Sequence, residues 1–188
     1  TREAFTEDLL QFMNALGLET VDLVGHSMGS LVAQSFAAQH PERVGRLILI
    51  SSAASMQENN ALIQIKPSIE ALRDPVDRGF VVEFQTPSNP VPEAFMQEII
   101  SESLKVPAHV WKGILAGLLQ VDNRPDLPYI SAPTLILWGN EDNIFTRKDQ
   151  DDLLERITGS RFIEYTAGHA LHWEKPDEVA ADLINFFD

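Results

Sequence analysis

The chain predicts an α/β fold, a parallel sheet of about four strands with helices on both faces and a helical insertion within it. Three observations carry this expectation. Short β-branched apolar runs alternate with amphipathic stretches at both ends of the sequence. Between residues 53 and 127 the texture changes to short helical pieces punctuated by prolines. A Gly-x-Ser-x-Gly pattern falls where one predicted strand gives way to a helix.

The elements follow in order. Residues 3–16, EAFTEDLLQFMNAL, put Phe5, Leu9, Phe12, Met13 and Leu16 at helical spacing, and Gly17 is a natural stop. TVDLVG at 20–25 is short, β-branched and bounded by glycine, the signature of a buried strand. SLVAQSFAAQH at 30–40 reads as a helix ended by Pro41, and RVGRLILISS holds a second strand at about 46–51. In the middle segment Pro67, Pro75, Pro87, Pro90, Pro92 and Pro107 separate helical pieces, of which 91–105 and 107–120 are the clearest. Strands then resume at 134–138 and 161–166, with helices over 147–157 and 176–187. The expected organisation is a sheet-bearing body from residues 1–52 and 128–188, and a helical unit from 53–127.

A chain of 188 residues supports one domain with a sizeable core, and 44% hydrophobic content is ordinary for a globular protein. The net charge of −14 argues against nucleic acid and anionic membranes as partners, since both call for clustered Lys and Arg. No apolar run approaches the roughly 18 residues of a membrane span. With no cysteine, disulfides, thiolate chemistry and cysteine-based zinc sites are excluded, and a reducing cytoplasm fits. No signal peptide is visible, and no motif calls for a cofactor.

The chemistry concentrates in Gly25-His26-Ser27-Met28-Gly29. A serine on a tight strand-to-helix turn is pushed out above the sheet by a strained backbone. The positions two before and two after approach each other, so glycine is expected at both Gly25 and Gly29. The helix that follows aims its N-terminal N–H groups where an oxyanion would form. By composition the bare pattern would arise in roughly one chain in twenty, so its weight comes from the strand before and the helix after.

An acid is expected at the C-terminal end of a later strand. LILWGNEDNIF supplies Glu141, read as part of a solvated loop, and Asp142, read as the acid. A base is expected last. In YTAGHALHWEKP, His169 directly follows the final strand and can reach Ser27 with one ring nitrogen while Asp142 holds the other. His172 is the rival base. The His169-x-x-His172 pair with Glu174 could also suggest a metal, a reading set aside because no open-site triad of ligands is obvious. His172 and Trp173 are read as packing or pocket lining, His26 as packing within the turn, and His40 and His109 as surface or interface residues.

The order Ser…Asp…His is the order of the α/β-hydrolase arrangement, and the sequence resembles that family directly. DLVGHSMGS, APTLILWGNED and AGHALHWEKPDEVAADLINFF are similar to its nucleophile elbow, acid loop and histidine loop. The resemblance covers residues 3–52 and 128–188, and the middle segment more loosely. It implies Ser27 as nucleophile, Asp142 as acid, His169 as base, and Met28 as a backbone N–H donor to the oxyanion hole. It also implies that 53–127 is a helical cap, with Phe80, Phe84, Phe95, Leu104, Trp111 and Leu115 in its core or lining a pocket.

The family fold has further strands and a second oxyanion donor ahead of the first helix seen here. The resemblance therefore implies that these residues are the C-terminal portion of a longer fold, with Val21–Val24 as an unmatched sheet edge. Weak or absent activity is expected of the 188 residues alone, since one lost oxyanion donor costs about 3–4 kcal/mol. The expected function is a serine hydrolase acting on a small, fairly apolar carboxylic ester, with thioester, lactone or carbon–carbon bond hydrolysis as near rivals. A non-catalytic interaction module is the alternative, with the missing N-terminal half or a second copy as partner through the open edge.

Overall fold

The computed structural model describes all 188 residues, Thr1–Asp188. Four parallel strands lie side by side in chain order: β1 Val21–His26, β2 Val44–Ile50, β3 Thr134–Gly139 and β4 Arg161–Tyr165. The helices are α1 Arg2–Ala15, α2 Met28–Gln39, α3 Asn60–Ala71, α4 Arg78–Gln85, α5 Glu93–Ser103, α6 Ala108–Leu118, α7 Arg147–Arg156, α8 Leu171–Glu174 and α9 Pro176–Phe187.

The central strands are buried on both faces, so they carry continuous apolar runs, Leu47–Ile50 and Leu135–Trp138, rather than alternating ones. Leu47 and Leu49 of β2 pack with Ile136 of β3 against Met13 of α1, Phe36 of α2 and Leu153 of α7. Ile48 and Ile50 turn the other way and pack with Leu135 and Leu137 against Leu171, Val179 and Phe186 of α8 and α9. Helix termini follow their sequence signals. The Thr146 hydroxyl accepts the Asp149 N–H, while the Asp149 carboxylate accepts the Thr146 N–H, a reciprocal cap that starts α7.

Helices α3–α6 form a helical layer with its own core of Ile69, Leu72, Val76, Val81, Ile100 and Leu115. Leu62 and Leu118 tie it to a second cluster around Leu31, Met56 and Phe145, which belongs to the body of the fold. Pro67 departs from expectation. It does not separate helical pieces but lies inside α3. A proline there removes the bond to the carbonyl of Ile63, and the helix tolerates it on a face where Ile63 is 50% exposed.

β1 is an outer strand, paired with β2 alone, and Val24 on it is 44% exposed. No helix is long and apolar enough to cross a membrane.

Candidate active site

Ser27 sits where β1 stops and α2 begins. Its N–H still bonds the sheet, donating to the Ile50 carbonyl at 3.0 Å. Its backbone then turns at φ 51 and ψ −121, a conformation few non-glycine residues adopt. This turn brings the chain into helix at Met28, two residues earlier than the sequence pattern predicts. The N–H groups of that first helical turn have no partners within the helix.

A buried polar chain holds the strained turn in place. The Ser30 hydroxyl donates to the Ser27 carbonyl at 2.5 Å, and the Ser30 N–H donates to it at 2.9 Å. The Ser52 hydroxyl lies 2.6 Å from Ser30 Oγ and accepts the Gln34 amide at 2.7 Å. Asn123 donates to Gln34 Oε1 at 2.8 Å and to the Leu31 carbonyl at 2.9 Å, and its own Oδ1 accepts from Arg2 at 2.6 Å. Ser30, Gln34, Ser52 and Asn123 are fully buried. Ser30 closes the DLVGHSMGS stretch, but none of the four was singled out as a site residue from the sequence. The one available signal was polar side chains inside otherwise apolar runs, Gln34 most clearly.

The glycines of the turn are not equivalent. A Cβ on Gly25 would lie 2.5 Å from the Gly29 carbonyl oxygen and 2.6 Å from Ser30 Cα, so α2 starts hard against β1. A Cβ on Gly29 would meet nothing within 4 Å. The expectation that crowding requires glycine at both positions is therefore corrected. It holds for Gly25, whose missing side chain is the contact surface, and fails for Gly29, whose own Cβ would point into open space. Gly25→Ala is expected to destabilise the protein by about 1–3 kcal/mol. Gly29→Ala is expected to be neutral or to gain up to about 1 kcal/mol from helix propensity. Denaturant midpoints of the two variants check both.

Asp142 lies in the loop after β3, and its carboxylate is fully buried. Oδ1 accepts the Ile144 N–H at 2.7 Å and the Phe145 N–H at 3.1 Å. Oδ2 faces His169 Nδ1 at 2.9 Å. A carboxylate can only accept, so the Nδ1 proton is the donor. That leaves His169 Nε2 to accept from the Ser27 hydroxyl, 2.9 Å away. Ser27, His169 and Asp142 thus stand in one hydrogen-bonded line, drawn from three different loops. The two later loops are stitched together by Asn140 N–H to the Tyr165 carbonyl and Glu141 N–H to the Ala167 carbonyl, both 2.9 Å.

The remaining candidates take different places. His26 was expected only to pack, yet its Nε2–H donates to the His169 carbonyl at 3.0 Å. Its ring also lies between those of His169 and His172, at 5.0 and 4.4 Å. Burial, with help from both neighbouring histidines, lowers the His26 pKa to about 3. Burial and His169 lower that of His172 to about 4. Both rings are neutral near pH 7 and add no charge beside His169. His172 does not reach Ser27, and its Nδ1 is buried without a partner.

A cavity of about 470 Å³ opens over Ser27. Met28, His169 and Trp173 line it from the body, and Leu62, Phe80 and Phe84 from the helical layer. Of the other aromatic and aliphatic candidates, Leu115 is buried in the core of that layer, with Leu104 and Trp111 packed against it. Phe95 packs edge-on against Trp173 at 5.5 Å.

An imidazole held between a buried carboxylate and a hydroxyl can take the hydroxyl proton while the carboxylate stabilises the resulting imidazolium. Comparison with known proteins agrees with a hydrolytic fold. A family model described as the alpha/beta hydrolase family matches residues 2–182. The 2-hydroxy-6-oxo-6-phenylhexa-2,4-dienoate hydrolase of Comamonas testosteroni is 30% identical over 93% of this chain, which spans 65% of that protein's length. The 3-oxoadipate enol-lactonase 1 of Acinetobacter baylyi is 26% identical, with 99% of this chain and 71% of that protein covered. Among solved structures, an esterase from Exiguobacterium antarcticum superposes with a TM-score of 0.86 at 22% identity, over 96% of this chain and 71% of the other. With its parallel sheet, its serine at the first strand-to-helix turn and a family match over nearly its whole length, the chain belongs to the alpha/beta hydrolase family.

Proposed function

We propose that the protein hydrolyses small, largely apolar carboxylic esters, with Ser27 as nucleophile, His169 as general base and Asp142 as the acid that orients it. The observation that carries this reading is the unbroken line from Asp142 through His169 to Ser27, with both contacts at 2.9 Å. His169 Nε2 takes the Ser27 proton as Oγ attacks the ester carbonyl. The oxyanion faces the Met28 N–H at the start of α2, helped by the helix dipole. Collapse expels the alcohol, which takes the proton from His169, and water then repeats the sequence on the acyl-enzyme. Residues 53–127 act as a cap that closes the cavity against bulk water. Met28 is the one oxyanion donor assigned among residues 1–188, so turnover by these residues alone is expected to be weak.

The cavity wall supports a neutral substrate. No lysine or arginine lines it, and its one carboxylate is Glu83. A substrate carboxylate would lose its hydration there with no cation to meet it. The second reading, hydrolysis of a lactone or a carbon–carbon bond, is favoured by the names of the relatives, a dienoate hydrolase and an oxoadipate enol-lactonase. Those names describe carboxylate-bearing molecules. Paired nitrophenyl esters decide between the readings, one with a butanoyl group and one with an acyl chain ending in a carboxylate. A preference of at least about tenfold in kcat/KM for the neutral ester is expected, equivalent to about 1.4 kcal/mol. Faster turnover of the carboxylate-bearing ester would overturn the assignment.

A further inference from the structure

His169 and Asp142 sit on separate loops, and a third loop, from the cap, holds both. It joins α4 to α5 and carries Ser88 and Asn89. The Ser88 N–H donates to Glu174 Oε1 at 3.1 Å. The Asn89 amide gives one hydrogen to Glu174 Oε2 at 2.7 Å and the other to Glu141 Oε2 at 2.8 Å. The Ser88 hydroxyl lies 3.4 Å from the Glu141 carbonyl oxygen. Glu174 Oε2 also accepts the Gly168 N–H, at 2.8 Å.

These contacts fall next to the reacting groups. Gly168 immediately precedes His169, and Glu141 immediately precedes Asp142. The cap loop also rests directly on the backbone here. A Cβ on Gly168 would lie 2.2 Å from Ser88 Oγ. Ser88 and Trp173 line the cavity, so the junction is part of its rim. Glu141 and Glu174 make no ion pair with a lysine or arginine, and one neutral amide serves both carboxylates. Two like charges converging on a shared site repel each other, and Asn89 offers both a hydrogen.

We propose that Glu174 is a positioning residue for His169 and that Asn89 locks it to the cap, so that the seating of the cap loop and the placement of the base and acid loops are one event. The consequence for catalysis rests on the function proposed above; the coupling itself does not. A cap loop displaced by bulky substrate pulls on Glu174 and hence on Gly168. A seated loop fixes Gly168 from one side while Asp142 holds the His169 ring from the other. Placement of this kind matters because displacing reacting groups by about 1 Å costs on the order of a hundredfold in rate.

The test is backbone hydrogen exchange in the full 188-residue chain, followed at Ser88, over residues 166–170 and in β2, in the unmodified protein, Asn89→Asp and Glu174→Gln. Asn89→Asp keeps the size of the side chain and sets a third carboxylate against two others. Exchange at Gly168 is expected to rise at least about tenfold, although residue 89 lies in the cap, a shift worth about 1.4 kcal/mol. Glu174→Gln is expected to raise exchange at Gly168 and Ser88 together. Unchanged exchange over 166–170 in Asn89→Asp would overturn the proposal. The amides of β2 report on global unfolding. If Asn89→Asp loses their protection, Asn89→Ala, which removes the donor without adding charge, decides by the same criterion. In ester kinetics, Asn89→Asp is expected to lower kcat more than it changes KM, and unchanged kcat would count against the coupling. If Ser27 proves unreactive in the unmodified protein, the proposed function fails while the exchange result still decides the coupling.

Discussion

Asp142→Asn is expected to lower ester turnover about ten-thousandfold while the fold stays intact. The size of the effect follows from the hydrogen bonds around the carboxylate. Oδ1 accepts two backbone N–H groups, from Ile144 and Phe145. An asparagine at this position keeps its carbonyl oxygen there, because an NH2 group would face two donors. Its NH2 then points at His169 Nδ1, which today donates to Asp142 Oδ2. The ring must switch tautomer, placing its proton on Nε2, toward Ser27. A nitrogen that already carries a proton cannot accept one from the serine hydroxyl. Steady-state kinetics beside a denaturation curve checks the prediction. A fall of less than about tenfold would mean that His169 does not depend on Asp142 for its tautomer.

Gly139→Ala is expected to be the most disruptive single-methyl change in the chain. Gly139 ends β3, and a Cβ there would lie 2.1 Å from the Ala167 carbonyl oxygen and 2.5 Å from that of Gly168. Both are backbone atoms in the loop just past β4, which cannot rotate away as a side-chain tip can. The two loops must separate, breaking the Glu141 N–H bond to Ala167 and carrying His169 away from Asp142. A loss of about 3 kcal/mol or more in stability is expected, the range of severe overpacking. Activity is expected to fall further than stability, since His169 moves with the displaced backbone. Urea denaturation and turnover measured on the same preparation separate the two effects.

What could be read from the sequence was what is local. Ser27, Asp142 and His169 each follow a strand within a few residues, so strand pattern and motif order together located all three. The alternation of strands and helices is likewise a short-range signal, and the expectation of a parallel sheet of about four strands followed from it. Pairings between distant residues left no such trace. Asn89 and Glu174 are 85 positions apart, and Glu141 reads as an ordinary solvated carboxylate until the α4–α5 loop is placed on it. The chain from Ser30 through Gln34 and Ser52 to Asn123 is hidden for the same reason. Gly29 shows the opposite error: a motif glycine was credited with a steric duty that only Gly25 performs. His26 looked like filler because its partner, the His169 carbonyl, is a backbone atom 143 positions away.

The central claim is that Ser27 is an activated nucleophile, and a fluorophosphonate probe tests it without a known substrate. The reaction is a single covalent event and does not require rapid turnover. The predicted result is one labelled serine, mapped to the peptide containing Ser27, with labelling lost in Ser27→Ala. Labelling that persists in Ser27→Ala, or that maps to another serine, would contradict it.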